Sequence, residues 1–517
     1  MTKLLLLFNT IKFLKPIQIK YRAFYFLRKK VRRFYFFDYS FKKKSNAQNL
    51  IFMNSIKNYQ SYFLDNHFQF VNLDKKFHKI DWNYIEYGKL WTYNLNYFEY
   101  LNQNKMSTEV GLELIENYIK NIENINSGNE AFPTSLRLIN WIKFLVLHKI
   151  NNQEINDSLY AQSYILIDNL EYHLLGNHLL ENAFGLLFAT YYFEDEKLYS
   201  ISKRILIEEL EEQILKDGGH FELSPMYHQL MLCRILDCIN LIQNNKWKNQ
   251  ELLELLSNKA ELMLGWLDNM TYINGSIPLL NDSAMGIAPT TLELFEYAKR
   301  LSIEMKSCKL LESGYRKFKS TNYEIVIDVG AIGPDYIPGH AHSDTFNFEL
   351  QLYGKPFIVD TGLSTYENNA QRMSERSTKA HNTVQIAKKE QSQVWGGFRV
   401  ANRANITDIK ESINSIEATH DGYKKEKINH TRKWTYLEDI IIIEDNMNKE
   451  VEAIARFHFH PEVSKEEILE TIVFKSNDYT ISTYQFAPKF NVNIEALVLE
   501  VKFLKTLRVE IIVNKTI

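Results

Sequence analysis

From about residue 90 to residue 305 apolar side chains return every three to four positions, and after about residue 320 they return every second one. No other feature restricts the fold as much. A spacing near 3.6 lines one side of a helix and alternation lines one face of a strand, so a segment patterned for one cannot bury its apolar side as the other. In the first stretch Leu112, Ile115, Ile119 and Ile122 keep the helical spacing, as do "SLRLINWIKFLVLH", "HLLENAFGLLFATYYF" and "YHQLMLCRILDCINLI". Glycine and proline gather between these runs, in "NSGNEAFPTS" and "KDGGHFELSP", which predicts short connections and antiparallel neighbouring helices. Later, "YEIVIDVG", "FNFELQLYGKPFIVD", "KWTYLEDIIIIEDN", "AIARFHFHP" and "ALVLEVKF" read as strands, with a hairpin turn over Tyr353–Pro356. The expected architecture is multidomain α+β, an all-α array followed by an antiparallel β-sandwich. The boundaries are 1–85 for a basic, aromatic arm with lead-in helices, 86–310 for the helical domain and 320–517 for the sandwich.

Composition matters for what it removes. A formal net charge of −2 over 517 residues offers no general attraction for nucleic acid. Cys233, Cys238 and Cys308 form no CxxC pair and no even-numbered framework, so any metal must be held by histidine and carboxylate. The arm departs from this balance. Lys12, Lys15, Lys20, Arg22, Arg28, Lys29, Lys30, Arg32 and Arg33 interleave with aromatics, and Asp38 is the sole acid among the first 44 residues. Its "LLLLF" is too short for a membrane span and no small-residue cleavage site follows it. Two readings stand: peripheral contact with a membrane surface, or a basic helical arm packed on the body.

Four polar clusters interrupt the apolar patterns. In "GNHLLENA", His178, Glu181 and Asn182 share a helix face beside Asn177, and a buried polar face needs a partner for each group, at a helix junction or at a site. In "DGGHFELSPMYHQL", Ser224 and Pro225 have the form of a helix start, Ser as N-cap and Pro at the first helical position, which sets Tyr227 and His228 in the first turn. In "GHAHSDTFNFEL", His340, His342 and Asp344 alternate in a strand-like entry, with Asp360 and His381 downstream. Such a set suits either hydrogen-bonded histidines at a sheet edge or a divalent ion. Finally, Arg372, Arg376, Arg399 and Arg403 bracket the sheet, and guanidinium groups recognise carboxylate or sulfate through paired hydrogen bonds.

Taken in order, "LWTYNLNYFEYL", "FPTSLRLINWI", "GNHLLENA", "DGGHFELSPMYH", "GHAHSDTFNFEL", "RSTKAHNT" and "WGGFR" resemble the heparinase II/III-like polysaccharide lyases and the alginate lyases of related architecture. The resemblance implies an N-terminal incomplete (α/α) toroid joined to a C-terminal antiparallel β-sandwich, with the site in the cleft between them. It implies β-elimination at a uronic acid of an acidic polysaccharide. On that reading Asn177 and His178 neutralise the uronate carboxylate, Tyr227 is base and acid, and His340 assists it. Glu181, His228, Arg376 and Arg399 are then substrate contacts, and His342, Asp360 and His381 hold a structural divalent metal, zinc by ligand type. Where some relatives carry an arginine one turn after the tyrosine, this chain has Met231, which argues against sulfated, heparin-like substrates. Family habit points to the periplasm, whereas the arm points to a cytoplasmic or membrane-peripheral location. A non-catalytic carbohydrate-binding or capsule-assembly protein of the same fold is the alternative, and a hydrolase using the metal set directly is a third reading.

Overall fold

The computed structural model describes residues 3–39, 46–248, 250–476 and 478–513. Two helices open the chain, α1 (Lys3–Ile11) and α2 (Pro16–Phe34). The body then contributes α3 (Lys89–Tyr97), α4 (Thr108–Asn121), α5 (Ala131–His148), α6 (Gln153–Asp168), α7 (Gly176–Phe193), α8 (Glu196–Gln213), α9 (Pro225–Asn244), α10 (Gln250–Met270) and α11 (Thr291–Arg300). They form the incomplete toroid, and α5, α7 and α9 lie at its centre, buried on nearly every side. Between the arm and α3 the lead-in is not helical as expected. It holds a three-stranded sheet, Tyr62–Phe63, His67–Phe70 and Leu73–Lys76, whose Phe68 and Phe70 pack against Trp91 and Tyr100 of the helical core. Tight turns built on Asp65, Asn66 and Asn72 at positive φ explain why so short a segment pairs with itself.

Among the described residues the β-sandwich region holds three larger antiparallel sheets and a two-stranded one, Val394–Trp395 with Arg399–Val400. Tyr315–Lys319, Tyr323–Asp328, Phe348–Leu352 and Lys355–Ile358 form one, joined by a hairpin in which Tyr353 and Gly354 both take positive φ (53° and 73°), the signature of a type I′ turn. A six-stranded sheet is built around His430–Tyr436, Ile440–Met447 and Thr506–Ile512, and a further four-stranded sheet around Ala453–His458 and Val492–Phe503. Phe346, Phe348 and Leu350 bury completely in the shared core with Trp434, Phe457 and Val509. Their polar alternates do not face water. Glu349 accepts hydrogen bonds from the backbone N–H of Leu279 (2.9 Å) and of Asp360 (3.1 Å), so this sheet presses its polar face against the segment leading from α10 to α11. That contact joins the two domains.

Candidate active site

Two helix N-termini converge where the domains meet. Ser224 caps α9, its Oγ accepting the Tyr227 N–H at 3.2 Å, and Pro225 occupies the first helical position. The same Oγ donates to the Asp282 carbonyl at 2.8 Å, so the cap also pins the inter-domain segment. Across from it α7 begins abruptly: Leu175 and Gly176 both have positive φ, and a Cβ on Gly176 would lie 3.2 Å from Ile337. Asn177 and His178 therefore stand in the first turn of α7, facing Tyr227 in the first turn of α9. Asn177, Glu181 and Tyr227 line a cavity of about 460 Å³, closed from the sandwich side by Tyr366 and Phe490.

The electrostatics differ from one side chain to the next. Burial works against a charged His178, but the Glu171 carboxylate 3.1 Å from Nδ1 outweighs it, so the pKa is raised and the imidazolium favoured. The Asn177 amide side chain has no hydrogen-bond partner among the described residues. Tyr227 is a different case: burial, with Asp282 and Glu222 nearby, raises its pKa, against the lowering influence of the Tyr366 hydroxyl 3.1 Å away and of Arg372. The free protein therefore holds Tyr227 as a phenol. His340 lies over it, ring centroids 4.0 Å apart and planes tilted by 32°.

The "GHAHSD" stretch is not a strand entry. Residues 340–344 form an irregular loop and regular pairing starts at Phe348, after Phe346 has turned the chain at φ 70°. Released from alternation, both histidines reach one carboxylate: His340 Nδ1 is 2.9 Å and His342 Nε2 2.8 Å from Asp282. Arg372 donates to both oxygens of the same group. Burial alone would neutralise Asp282, but Arg372 and the two histidines hold its pKa well below the usual carboxylate range. Glu222 lies on the other side of His340, 3.6 Å from Nε2. Asp282 was invisible beforehand because "LLNDSAMG" reads as a plain polar turn.

The expected substrate contacts divide. Glu181 lines the cavity, one oxygen 3.4 Å from Arg234 Nε and the other without a partner. His228 is buried behind it: Nε2 meets the Met263 carbonyl at 3.0 Å, the ring stacks on Trp266, and burial drives its pKa down to about 3. It is a neutral packing residue, not a substrate contact. Arg376 is fully buried and donates to the carbonyls of Ala341 and Gly397, which clamps the histidine loop and leaves no guanidinium for a ligand. Arg399 is exposed over the Trp395 ring and lies outside the cavity lining. The cations that do line the cavity are Lys57, Arg234 and Lys489. Arg234 was legible in principle, since position i+7 from Tyr227 falls on the same face of α9.

His342, Asp360 and His381 are buried together. The two rings are 5.3 Å apart and His381 Nδ1 is 2.7 Å from Asp360. His342 Nδ1, His381 Nε2 and one Asp344 oxygen have no hydrogen-bond partner, a donor chemistry that fits zinc. Among the described residues no group of three or more His, Cys, Asp or Glu is gathered closely enough to hold an ion.

Comparison with known proteins places this site in a family. Residues 143–303 match the Heparinase II/III N-terminus and residues 305–501 the Heparinase II/III-like C-terminal domain. The chain belongs to the heparinase II/III-like family. A heparin-sulfate lyase of Bacteroides stercoris is 25% identical over 249 residues, covering 43% of this chain and 37% of that protein. One from Bacteroides thetaiotaomicron is 24% identical over 280 residues, 46% of this chain and 40% of the relative, so the chain spans less than half the length of either. The crystal structure of heparinase III superposes with a TM-score of 0.66 at 17% identity, over 86% of this chain and 80% of that one. A heparan sulfate lyase from Pedobacter heparinus superposes at 0.55 and 14% identity, over 88% and 82%. These likenesses fix the fold as toroid plus β-sandwich.

Proposed function

We propose that the protein is a polysaccharide lyase that cleaves a uronic-acid-containing acidic polysaccharide by β-elimination. The observation that carries this reading is the convergence of α7 and α9, which sets the unpartnered Asn177 amide at the same inter-domain cavity as Tyr227, with the cationic-leaning His178 beside it, its ring 4.8 Å from that of the lining residue Phe132. The relatives named above are heparin-sulfate lyases, which supports the reaction class.

The difficulty of the reaction is the C5 proton of a uronate, whose loss places a second charge beside the carboxylate. Asn177 and His178 hydrogen-bond that carboxylate and stabilise the charge as it develops. Tyr227 takes the C5 proton, the C5 electron pair forms the C4–C5 double bond, and the C4–O bond breaks. The leaving oxygen then takes that proton from Tyr227, which restores the phenolate. Because Tyr227 is a phenol in the free protein, its first deprotonation requires a proton exit. His340, stacked on its ring and flanked by Asp282 and Glu222, provides one, and the Tyr366 hydroxyl donates to the phenolate oxygen. Lys57, Arg234 and Lys489 give the acidic chain its counter-charges.

We also propose that His342, Asp360 and His381, which are not gathered into a coordination shell in the free protein, would close on a structural zinc and tie the histidine loop to the sandwich. Metal content by elemental analysis, and the melting temperature before and after chelation, test that assignment: no bound metal and no shift would contradict it. The lyase reading is tested by incubating the protein with a panel of uronate polymers and following the ultraviolet absorbance of the unsaturated product, with Tyr227→Phe as the control. Product that still forms at the parental rate in Tyr227→Phe would remove the assignment.

A further inference from the structure

Within the arm, α2 meets the body along one stripe, while Thr10, Phe13 and Lys15 ahead of it touch Trp395, Arg403 and Glu212. In α2 the residues Gln18, Tyr21, Tyr25, Arg28 and Arg32 recur at three- and four-residue spacing, and these are the positions withdrawn from solvent. Gln18 donates to the Leu174 carbonyl at 2.9 Å, Tyr21 stacks on Tyr172 at 4.7 Å, Tyr25 donates to the Leu170 carbonyl, and Arg28 and Arg32 pair with Asp168 at 3.0 and 2.6 Å. The helix is thus fixed in rotation.

That rotation turns an apolar strip outward. Ile19, Phe26, Leu27, Val31 and Phe34 project away from the docked stripe and remain 51%, 60%, 59%, 54% and 76% exposed. Lys20, Lys29, Lys30 and Arg33 stand exposed among them, and none of the four forms an ion pair among the described residues. The preceding α1 adds Leu4, Phe8 and Ile11, also exposed, and no acidic residue occurs between Lys3 and Phe37. An apolar strip of this size left on the surface marks a contact. Its lysine-rich margins decide which kind: protein interfaces are depleted in lysine, whereas lysines beside an apolar strip match anionic headgroups while the strip enters the acyl boundary. No helix among the described residues is long and apolar enough to cross a membrane, so the geometry is that of a helix lying on the surface.

We propose that the outward face of α2 seats the protein on an anionic lipid bilayer, with Phe26, Leu27 and Phe34 in the interface and Lys20, Lys29, Lys30 and Arg33 on the headgroups. The body's hold on the other face sets a fixed orientation for the enzyme on that surface.

The test is co-sedimentation of the full chain with vesicles of phosphatidylcholine alone and of phosphatidylcholine mixed with phosphatidylglycerol, at low and high salt. Binding should favour the anionic vesicles and weaken with salt. Phe26→Ser, Leu27→Ser and Phe34→Ser together should weaken partitioning about tenfold or more. Replacing Lys20, Lys29, Lys30 and Arg33 by Gln should remove the anionic preference. Melting temperature, read in parallel, should be unchanged in both variants, since these side chains lie off the docked stripe. Equal recovery with both vesicle types, or unchanged binding by the serine variant, would overturn the proposal. So would a concentration-dependent oligomer without lipid that the serine variant abolishes, because that would make the strip a protein interface.

Discussion

The two walls of the cleft are built on opposite principles. On the toroid wall, polar groups are brought to the cavity and left incompletely paired: the Asn177 side-chain amide has no hydrogen-bond partner among the described residues, and one oxygen of Glu181 has none. On the facing wall, where the segment between α10 and α11 meets the sandwich, the charges around Asp282 are matched. Asp282 holds Arg372, His340 and His342, and Arg376 locks the carbonyls of Ala341 and Gly397. Unpaired buried polar groups are destabilising, so those that line the cavity mark where substrate is to supply partners, whereas the unpaired atoms of His342, His381 and Asp344 lie outside the cavity lining. The matched wall holds His340 against Tyr227. The contrast assigns chemistry to one side and positioning to the other.

The largest expected effect breaks this contrast on the chemical side. Tyr227→Phe removes the proton carrier while keeping the ring against His340, and turnover should fall roughly 10²–10⁴-fold with melting temperature unchanged. A comparable loss of stability would mean the two walls are not separable. On the matched wall, Asp282→Ala leaves the Arg372 guanidinium buried without its counter-charge, and urea denaturation should register a loss of about 3–5 kcal/mol. A fully stable Asp282→Ala protein would contradict the positioning role.

Asn177→Ala should come next, lowering kcat by roughly 10²-fold through loss of one donor to the developing charge, with little change in stability. The smallest effect is a pH limb. The groups around His178 are Glu171 and Glu222, which favour its cation, and Lys89, which opposes it. Because the pKa is raised, the cation is fully present below the ordinary histidine value of about 6.5 and is lost as pH rises through the higher folded value. The alkaline limb of kcat/KM should therefore move to lower pH in Glu171→Gln. An unmoved limb would detach His178 from substrate neutralisation.

Much of the architecture was legible because period is a one-dimensional signal: the switch near residue 320, the Ser224-Pro225 helix start and the Tyr353-Gly354 turn are all local. The small sheet at Tyr62–Lys76 was not: its turns are local, but the aromatic contacts with Trp91 and Tyr100 that hold it on the helical core lie outside any short window. At the site, Asn177, Glu181 and Tyr227 line the cavity with His340 against Tyr227, whereas His228, Arg376 and Arg399 lie outside its lining. Arg376 and His228 turned inward because buried carbonyls need donors as much as ligands do. Alternation misread residues 340–344, since the turn at Phe346 depends on the tertiary packing of its ring against His420, His430 and Trp434. Asp282, which partners both histidines, came from a loop with no periodic signal at all.

The central claim is that the cleft breaks a glycosidic bond without water. Digestion of a uronate polymer in heavy-oxygen water, followed by mass spectrometry of the fragments, tests it directly. The account predicts fragments that carry no label at the cleaved bond, with one end lighter than a hydrolysis product by a water and bearing the double bond. Heavy oxygen incorporated at a saturated new end would show hydrolysis and contradict it.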